Sequence, residues 1–329
     1  YNMTDYKTLF GKKIKFQTSD LTMSTATEGE LFYSGTDNEF KVGVNLIAWA
    51  SGGNLNTPKS NHGGAGTLTA GLSFGGRNAV PGSTTHYGNT EKYDGSSWTE
   101  VGDMNTARHH ISGLGTQTAA FAVAGTVEGG SPIDNVESFD GTNWTEGPDL
   151  ATARFGGGAC GTSTAGLYAG GREPAFSAQS EEWNGTAWAE GSNLNETKTL
   201  QAAMTGTQTA AVTFGGSVPP STANVEEYNG STWSEVTNLP AARSGSAASG
   251  PQTSAIQFGG SGYATNAFLY DGTNFSATSS LATGRSTLSK CGGTDNTTSL
   301  AHGGYGSGGY TNATEEYAHT VTLKTVTDS

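Results

Sequence analysis

One motif recurs at nearly equal intervals along the chain, and this repetition limits the fold more than any other feature of the sequence. Each copy has an aromatic residue, Asp or Asn, Gly, two further residues and a second aromatic residue. The copies begin 42 to 46 residues apart, at Tyr93, Phe139, Trp183, Tyr228 and Tyr270. Asp-Gly and Asn-Gly favour the positive φ angles of tight turns, so each copy predicts two antiparallel strands around such a turn.

A second element recurs upstream of each hairpin, and together the two elements predict the fold. It is a short apolar strand that ends in Gly, as in Ala211–Gly216, and a strand of small residues precedes it. Four strands per repeat cannot bury both faces of their sheet alone, so the repeats must stack around an axis. The sequence contains six of these apolar elements and therefore predicts an all-β fold, a six-bladed β-propeller.

The two ends of the repeat array complement each other. The sixth third-strand aromatic, Tyr317, has no Trp after it, whereas Trp49 has no hairpin partner before it. We therefore expect a propeller over residues 44–317 in which residues 44–50 form the outermost strand of the last blade. This pairing would close the ring and remove its open sheet edges.

The residues outside the repeats predict a small additional β structure. Residues 13–17 alternate like a strand and residues 29–42 resemble a hairpin, so residues 1–43 are interpreted as an N-terminal β module. It either anchors the propeller to a partner or is an extended arm that covers the closing blade. In the C-terminal tail, residues 318–329, the alternating segment 320–326 either pairs with this module or competes with residues 44–50.

Composition and charge exclude several classes of partner. The net charge of −13 argues against nucleic acid, because phosphate binding needs a basic surface. No apolar run approaches the roughly 18 residues of a membrane-spanning helix, so membrane insertion is not expected.

The two cysteines, Cys160 and Cys291, hold the same place in repeats three apart. They should lie on opposite sides of the axis, too far apart for a disulfide bond.

The repeat resembles the kelch repeat in its Gly-Gly pair, aromatic residue, Trp and following Arg, as at Gly215-Gly216, Tyr228, Trp233 and Arg243. The resemblance covers about residues 44–317. A narrower one rests on the 29–42 hairpin and on Gly-Thr-Gln-Thr-Ala-Ala at 115–120 and 206–211. In these features the chain resembles kelch-like structural proteins of marine tailed phages.

This resemblance implies a non-enzymatic structural or adhesion protein of the virion, such as a fibre, spike or decoration. Its location would be the extracellular particle, and residues 1–43 would contact other virion proteins or sister subunits. A host surface glycan or protein is a further expected partner. The alternative is a secreted or surface-exposed carbohydrate-binding kelch protein of bacterial origin.

Catalysis is the minor alternative, as a degenerate kelch oxidase or hydrolase. Kelch propellers include copper oxidases, but their metal ligands find no match here, and the acids Glu91, Glu137, Glu181, Glu226 and Glu315 fall at one repeat position. That regularity favours a structural role. His62, His109 and His110 begin adjacent inner strands. They either form a metal site or are polar residues at the channel mouth. We predict no catalytic residue, no metal and no cofactor.

A candidate ligand face follows from the alternation of strand direction within a blade. The starts of the first strands and the variable loops after each Gly-Gly pair share one face, and variable loops on a rigid scaffold often bind ligands. The cations there either brace neighbouring blades or form a positive ring around the channel mouth that binds an anion. The candidate residues are Arg108, Arg154, Arg243, Arg285, Arg172, His86, Tyr87, Tyr263, Tyr305 and Tyr310.

Overall fold

The computed structural model describes residues 6–9, 12–17, 31–80, 83–201, 203–292 and 295–326. Within these residues the chain is all-β, and none of the described segments is a helix. It follows that the described part of the chain holds no helix long and apolar enough to cross a membrane. The chain divides into two compact units, residues 49–317 and residues 1–48 with 318–329.

The 49–317 unit is built from repeated four-stranded antiparallel sheets, which is a β-propeller-like arrangement. The strands of repeats 1 to 3 are Gly63–Thr67, Ala70–Phe74, Thr90–Tyr93, Trp98–Val101; Ser112–Thr116, Ala119–Thr126, Pro132–Phe139, Trp144–Glu146; and Gly158–Thr162, Ala165–Ala169, Ser180–Trp183, Trp188–Glu190. Those of repeats 4 and 5 are Met204–Thr207, Ala210–Ser217, Ser221–Tyr228, Trp233–Glu235; and Ala247–Ser249, Ala255–Phe258, Ala267–Tyr270, Phe275–Thr278.

The last repeat of this unit draws its strands from both ends of the array. Its sheet contains Ser289–Gly292, Thr298–His302, the start of Thr314–Thr325 and the end of Glu39–Ser51, in that order. Trp49 is half-buried in the unit, with its ring centroid 5.2 Å from Tyr317 and 4.9 Å from Phe258 of repeat 5. Trp144 has the same two kinds of neighbour, Phe139 in its own repeat and Phe74 in the preceding one.

Short hairpins leave the second strands on one side of the sheets. They are Arg77–Val80 with Ser83–His86, Arg172–Glu173 with Ala175–Phe176, and Tyr305–Gly306 with Gly309–Tyr310; Arg285–Ser286, at the start of repeat 6, adds a third strand to the last of them. These hairpins lie in the loops that the sequence analysis assigned to the candidate ligand face.

In the smaller unit, four strands and the C-terminal segment form one sheet. Its strands are Tyr6–Leu9, Lys12–Gln17, Leu31–Ser34 and the first part of Glu39–Ser51, followed by the end of Thr314–Thr325. The hairpin predicted over residues 29–42 is present from Leu31, with Leu31 opposite Val42. The tail pairs within this unit, since the Val326 amide donates to the Phe40 carbonyl. Residues 1–5, 10–11 and 18–30 of the expected N-terminal module lie outside the described residues.

The paired glycines after each second strand hydrogen-bond one repeat to the next. The second residue of this pair is glycine in every repeat, although in repeat 2 it follows Ala124, and it donates its amide to the carbonyl of the cation that opens the following repeat, at 2.7 to 3.3 Å. The pairs are Gly76–Arg108, Gly125–Arg154, Gly171–Lys198, Gly216–Arg243, Gly260–Arg285 and Gly304–Lys59. The last of them joins repeat 6 to repeat 1. Gly76 has a φ of 100°, and a Cβ there would lie 2.9 Å from the Ser60 carbonyl oxygen, so this position requires glycine.

Three glutamines clamp neighbouring repeats together from the turns between first and second strands. Gln117 Nε2 donates to the carbonyls of Gly71 and Tyr93 in the preceding repeat, at 2.9 and 2.7 Å. Gln208 and Gln252 make the equivalent pairs of bonds. The recurring Gly-Thr-Gln-Thr segment therefore has a structural role between repeats.

We expect Gln208→Ala to lower the free energy of unfolding by about 1 to 3 kcal/mol, because two carbonyls lose their donor. Chemical denaturation of the variant measures this loss. Ser163→Ala is the matched control, since Ser163 holds the same turn position in repeat 3 and lacks the amide group. A loss no larger than that of the control would show that the clamp contributes nothing.

Candidate functional site

Five of the six cations that open the repeats are buried against carboxylates, so they are not exposed at the candidate face. Each pairs with the repeat-position glutamate of its own repeat, at 2.9 to 3.5 Å. The pairs are Lys59–Glu91, Arg108–Glu137, Arg154–Glu181, Lys198–Glu226 and Arg285–Glu315. The positive ring expected at the channel mouth is therefore not formed by Arg108, Arg154 and Arg285, which brace the interior instead.

Each of these glutamates also fixes the loop that precedes its repeat. Glu137 accepts the Asn105 backbone amide at 2.7 Å and the Thr106 amide at 3.2 Å, and its partner Arg108 is fully buried. Glu91, Glu181, Glu226 and Glu315 accept the corresponding first amide at 2.6 to 2.7 Å. The carboxylate oxygens of these glutamates are therefore occupied by structural contacts.

Repeat 5 lacks this ion pair, and two substitutions account for the difference. Phe268 stands at the glutamate position, and Pro240, which has no amide hydrogen, stands where the other loops donate to the glutamate. Arg243 is buried there, with its guanidinium 5.5 Å from the Phe268 ring centroid and donating to the Gly259 carbonyl at 3.1 Å. Its cation therefore rests on an aromatic face and a carbonyl, and it too is withdrawn from the surface.

A cavity of about 420 Å³ opens at the end of the sheets where the first strands begin. Residues of five repeats line it, so the cavity is shared by repeats 2 to 6. Its lining combines aromatic rings, uncharged polar groups and one cation: Phe155, Phe176, His110, Gln201, Thr199, Ser217, Ser244, Ser261, Ser286, Thr287, Pro219 and Arg172, with Gly156 and Gly245. We call it the mouth cavity.

Residues with left-handed backbone are joined by hydrogen bonds between repeats, and three of them, His110, Gln201 and Thr287, line the mouth cavity. The φ angles of Asn61, His110, Gln201 and Thr287 are 51 to 53°. Their amides donate to carbonyls of the adjacent repeat at 2.7 to 3.0 Å, and the Gly156 amide donates to His110 at 3.1 Å. Left-handed φ is uncommon for residues other than glycine, so the surrounding contacts must hold these four in place.

Two polar atoms of the lining are buried and have no hydrogen-bond partner among the residues that the structure describes. They are Oε1 of Gln201 and Nδ1 of His110. Burial, and then the nearby His109 and Arg77, hold the pKa of His110 well below its ordinary value, so the ring is neutral. Since buried polar groups normally have partners, these atoms are candidates for ligand contacts.

A second, much smaller pocket lies against the first strands. It is lined by His62, Ser112, Ser289, Lys290 and Gln201, which also lines the mouth cavity, and its open volume of about 10 Å³ has room for about one water molecule. His62 Nε2 lies 3.0 Å from His302 Nδ1, and His302 Nε2 lies 3.5 Å from Cys291 Sγ. The three groups form a line and do not converge on one point. Among the described residues no group of three such side chains could hold a metal ion.

The remaining predicted face residues separate into three groups. Arg172 lines the mouth cavity, with Nε donating to the Pro174 carbonyl and the guanidinium 5.3 Å from the Phe176 ring centroid. His86 and Tyr87 are half-buried, and the His86 ring stacks on His109 at 4.7 Å between centroids. Tyr263, Tyr305 and Tyr310 form an aromatic cluster, with centroid distances of 6.0 and 5.0 Å between successive rings.

Sequence reasoning missed Gln201, Phe155 and Phe176 as lining residues. The spacing carries a signal for Gln201, because Thr207 follows Lys198 by nine positions, whereas Thr116 follows Arg108 by eight. The extra residue in repeat 4 brings a glutamine to the axis. No comparable signal marks the two phenylalanines, which enter the cavity through the local course of their loops.

The comparisons with known proteins add no relative. No model of a known protein family matches the chain. No curated protein matches it with significant similarity.

Both cysteines are free and buried, and their surroundings make them unreactive in the folded protein. Burial raises the pKa of each thiol to about 12, since the thiolate would lose its hydration. We expect a thiol reagent at pH 8 to leave the native protein unmodified and to find two thiols after unfolding without reductant. Fewer than two thiols in the unfolded monomer would contradict the placement of Cys160 and Cys291 in separate repeats.

Proposed function

We propose that this chain is a non-enzymatic binding module that takes its ligand in the mouth cavity. The observation that carries the proposal is the pair of buried, unpartnered polar atoms, on Gln201 and His110, in the lining of an open cavity. Leaving a buried polar group without a partner costs about 1 to 3 kcal/mol. A ligand that supplies hydrogen bonds to both atoms recovers this cost on binding.

As part of the proposal, the scaffold is a six-bladed kelch-type propeller closed by residues 44–50. The hydrogen bond from Gly304 to Lys59, at 2.8 Å, supports closure between repeats 6 and 1. So does the bond from Trp98 Nε1 to Thr314 Oγ1, at 3.0 Å. Trp49 supports the outer-strand position, because its ring contacts match those of Trp144.

A binding role is favoured over catalysis by the state of the acids. Glycoside hydrolysis needs two carboxyl groups free to act on one bond. The five repeat-position glutamates instead accept backbone amides and pair with buried cations. Their carboxylate oxygens are engaged within the protein.

We further propose that the protein is a virion structural or adhesion component, on the strength of the resemblance to phage kelch-like proteins. Residues 1–43 would then attach it to other virion proteins or to sister subunits. A secreted or cell-surface carbohydrate-binding protein is the second candidate, and the exposed tyrosines beside the cavity favour it. The two candidates are separated by mass spectrometry of virions, purified from a culture infected with a phage that encodes the chain.

Crystallographic screening with small soluble fragments of varied chemistry tests the binding site itself. We expect bound fragments to concentrate in the mouth cavity and to hydrogen-bond Gln201 or His110. Soaking the same fragments into crystals of Gln201→Leu should abolish the contacts to this side chain. Fragments that bind elsewhere and leave the cavity empty would overturn the proposal.

A further inference from the structure

Three tyrosines, of which Tyr263 and Tyr305 are exposed and Tyr310 is half-buried, form an aromatic surface. Tyr263 and Tyr305 are 41% and 37% exposed, whereas the tyrosines at the ends of the third strands, such as Tyr93 and Tyr228, are buried. The ring centroids of Tyr263 and Tyr305 lie 6.0 Å apart, and Tyr310 meets Tyr305 edge-on at 5.0 Å. We call these three residues the tyrosine platform.

The backbone holds the platform in a fixed position. Tyr305 and Tyr310 are cross-strand partners in a short hairpin, and the other strand of the same sheet is Arg285–Ser286. Tyr263 has a φ of 54°, which is an outlier for a bulky residue. Its carbonyl packs against Gly284, where a Cβ would lie only 1.9 Å from that oxygen. The loop of repeat 5 is therefore locked against repeat 6 with the tyrosine ring left in solvent.

The tyrosine platform is continuous with the mouth cavity. Ser286, which lines the cavity, is the strand partner of Tyr305, and its hydroxyl donates to the Tyr305 carbonyl at 3.4 Å. Ser261, which also lines the cavity, stands two residues before Tyr263 and donates its amide to Ser244. The platform therefore forms part of the rim of the cavity.

The combined surface has the chemistry that recognises sugars. A pyranose ring offers an apolar face of C–H groups and a rim of hydroxyls, which match aromatic faces and uncharged hydrogen-bonding groups respectively. Tyr263 and Tyr305 supply exposed rings, and Phe155 and Phe176 supply two more within the cavity. The lining contains six Ser and Thr side chains, Gln201 and a neutral His110. The single cation, Arg172, already donates to a carbonyl, and the net charge of −13 disfavours polyanionic ligands.

We propose that the ligand of the mouth cavity is a neutral oligosaccharide that also contacts the tyrosine platform. One pyranose unit stacks on Tyr263 or Tyr305, and at least one further unit occupies the cavity and hydrogen-bonds Gln201. The cavity volume of about 420 Å³ lies in the range of small-molecule sites. This inference rests on the proposed function and specifies its ligand class.

The test is a glycan array that carries neutral and acidic mono-, di- and trisaccharides, probed with the full chain. We expect retention of neutral di- or trisaccharides, and isothermal titration with the retained glycan should show weaker binding of its monosaccharide. Tyr305→Ala and Tyr263→Asn should each weaken binding about tenfold, as the loss of an aromatic anchor does. Asparagine is chosen at 263 because it tolerates a left-handed backbone.

Asn184→Asp is the matched control, because Asp occupies the same turn position at Asp94, Asp140 and Asp271, away from the cavity. It should bind as the wild type does, and thermal unfolding should show all variants to be folded. Unchanged binding by both tyrosine variants, or a monosaccharide that binds as tightly as its disaccharide, would overturn the inference. An array that retains no neutral glycan would also overturn the inference. The proposed function is tested separately, by whether small fragments bind in the mouth cavity.

Discussion

Glu137→Ala is expected to destabilise the protein by about 3 to 5 kcal/mol, the usual cost of removing one partner of a buried ion pair. Arg108 is fully buried 3.1 Å from Glu137 and would keep its charge without a counter-ion. The Asn105 and Thr106 amides would lose their acceptor at the same time. Chemical denaturation followed by tryptophan fluorescence measures the loss.

Two further variants separate the ion pair from a general effect of substitution. Glu146→Ala removes an exposed carboxylate from the neighbouring strand and should change the free energy of unfolding by less than about 1 kcal/mol. Replacing both partners, Arg108→Met with Glu137→Leu, should cost less than Glu137→Ala, because no charge is left unpaired. A loss below about 1 kcal/mol for Glu137→Ala would contradict the structural role assigned to the repeat-position glutamates.

The protein is expected to lose several kcal/mol of stability between pH 7 and pH 4.5, because its buried histidines are held neutral. Burial, together with nearby cations, lowers the pKa of His302 and of His109 to about 3, and the pKa values of His62 and His110 also lie well below the ordinary value. In the unfolded chain these imidazoles bind protons near pH 6.5. Their contribution is therefore fully present above pH 6.5 and is lost as the pH falls toward 3.

The slope of the free energy of unfolding against pH measures how many imidazoles contribute, since each one lowers this free energy by up to about 1.4 kcal/mol per pH unit in this window. Glu181, whose pKa is raised by burial, acts in the opposite direction and reduces the total. Denaturation curves at several pH values should show a smaller slope for His302→Asn than for the wild type. A wild-type stability that is flat between pH 7 and 4.5 would contradict the neutral, buried state of these rings.

The sequence predicts the strands of this protein well because the repeats impose their pattern six times. The Asp-Gly and Asn-Gly turns, the Gly-Gly pairs and the buried Trp residues of the fourth strands recur at the repeat period. Trp49 could be assigned to the last repeat because its distance from Trp98 is close to one period. These features depend on local backbone preferences and on spacing, and both can be read from a sequence.

Contacts between positions far apart in a repeat could not be predicted in the same way. The cations and the glutamates were each recognised as periodic, but nothing in their spacing shows that Arg108 meets Glu137 inside the sheet stack. The arginines were accordingly included in a candidate ligand face from which burial withdraws them. Repeat 5 shows most clearly that the environment of each cation depends on such distant positions. Phe268 and Pro240 depart from the pattern together there and leave Arg243 without a carboxylate.

The candidate site was predicted in part because it combines periodic and irregular features. The face was derived from strand direction, and the tyrosines and Arg172 were named from the variable loops. Gln201 depends on one inserted residue, and Phe155 and Phe176 depend on how two loops turn toward the axis. Such loop conformations arise from tertiary packing and leave no periodic trace in the sequence.

An experimental crystal structure of the full chain is the most direct test of the proposal that six repeats close on one another around the mouth cavity. We expect the Gly304 amide to donate to the Lys59 carbonyl, Trp98 to donate to Thr314, and residues 44–50 to form the outermost strand of the sixth repeat. A seventh sheet in the ring, a gap between repeats 6 and 1, or residues 44–50 outside that sheet would contradict the proposal.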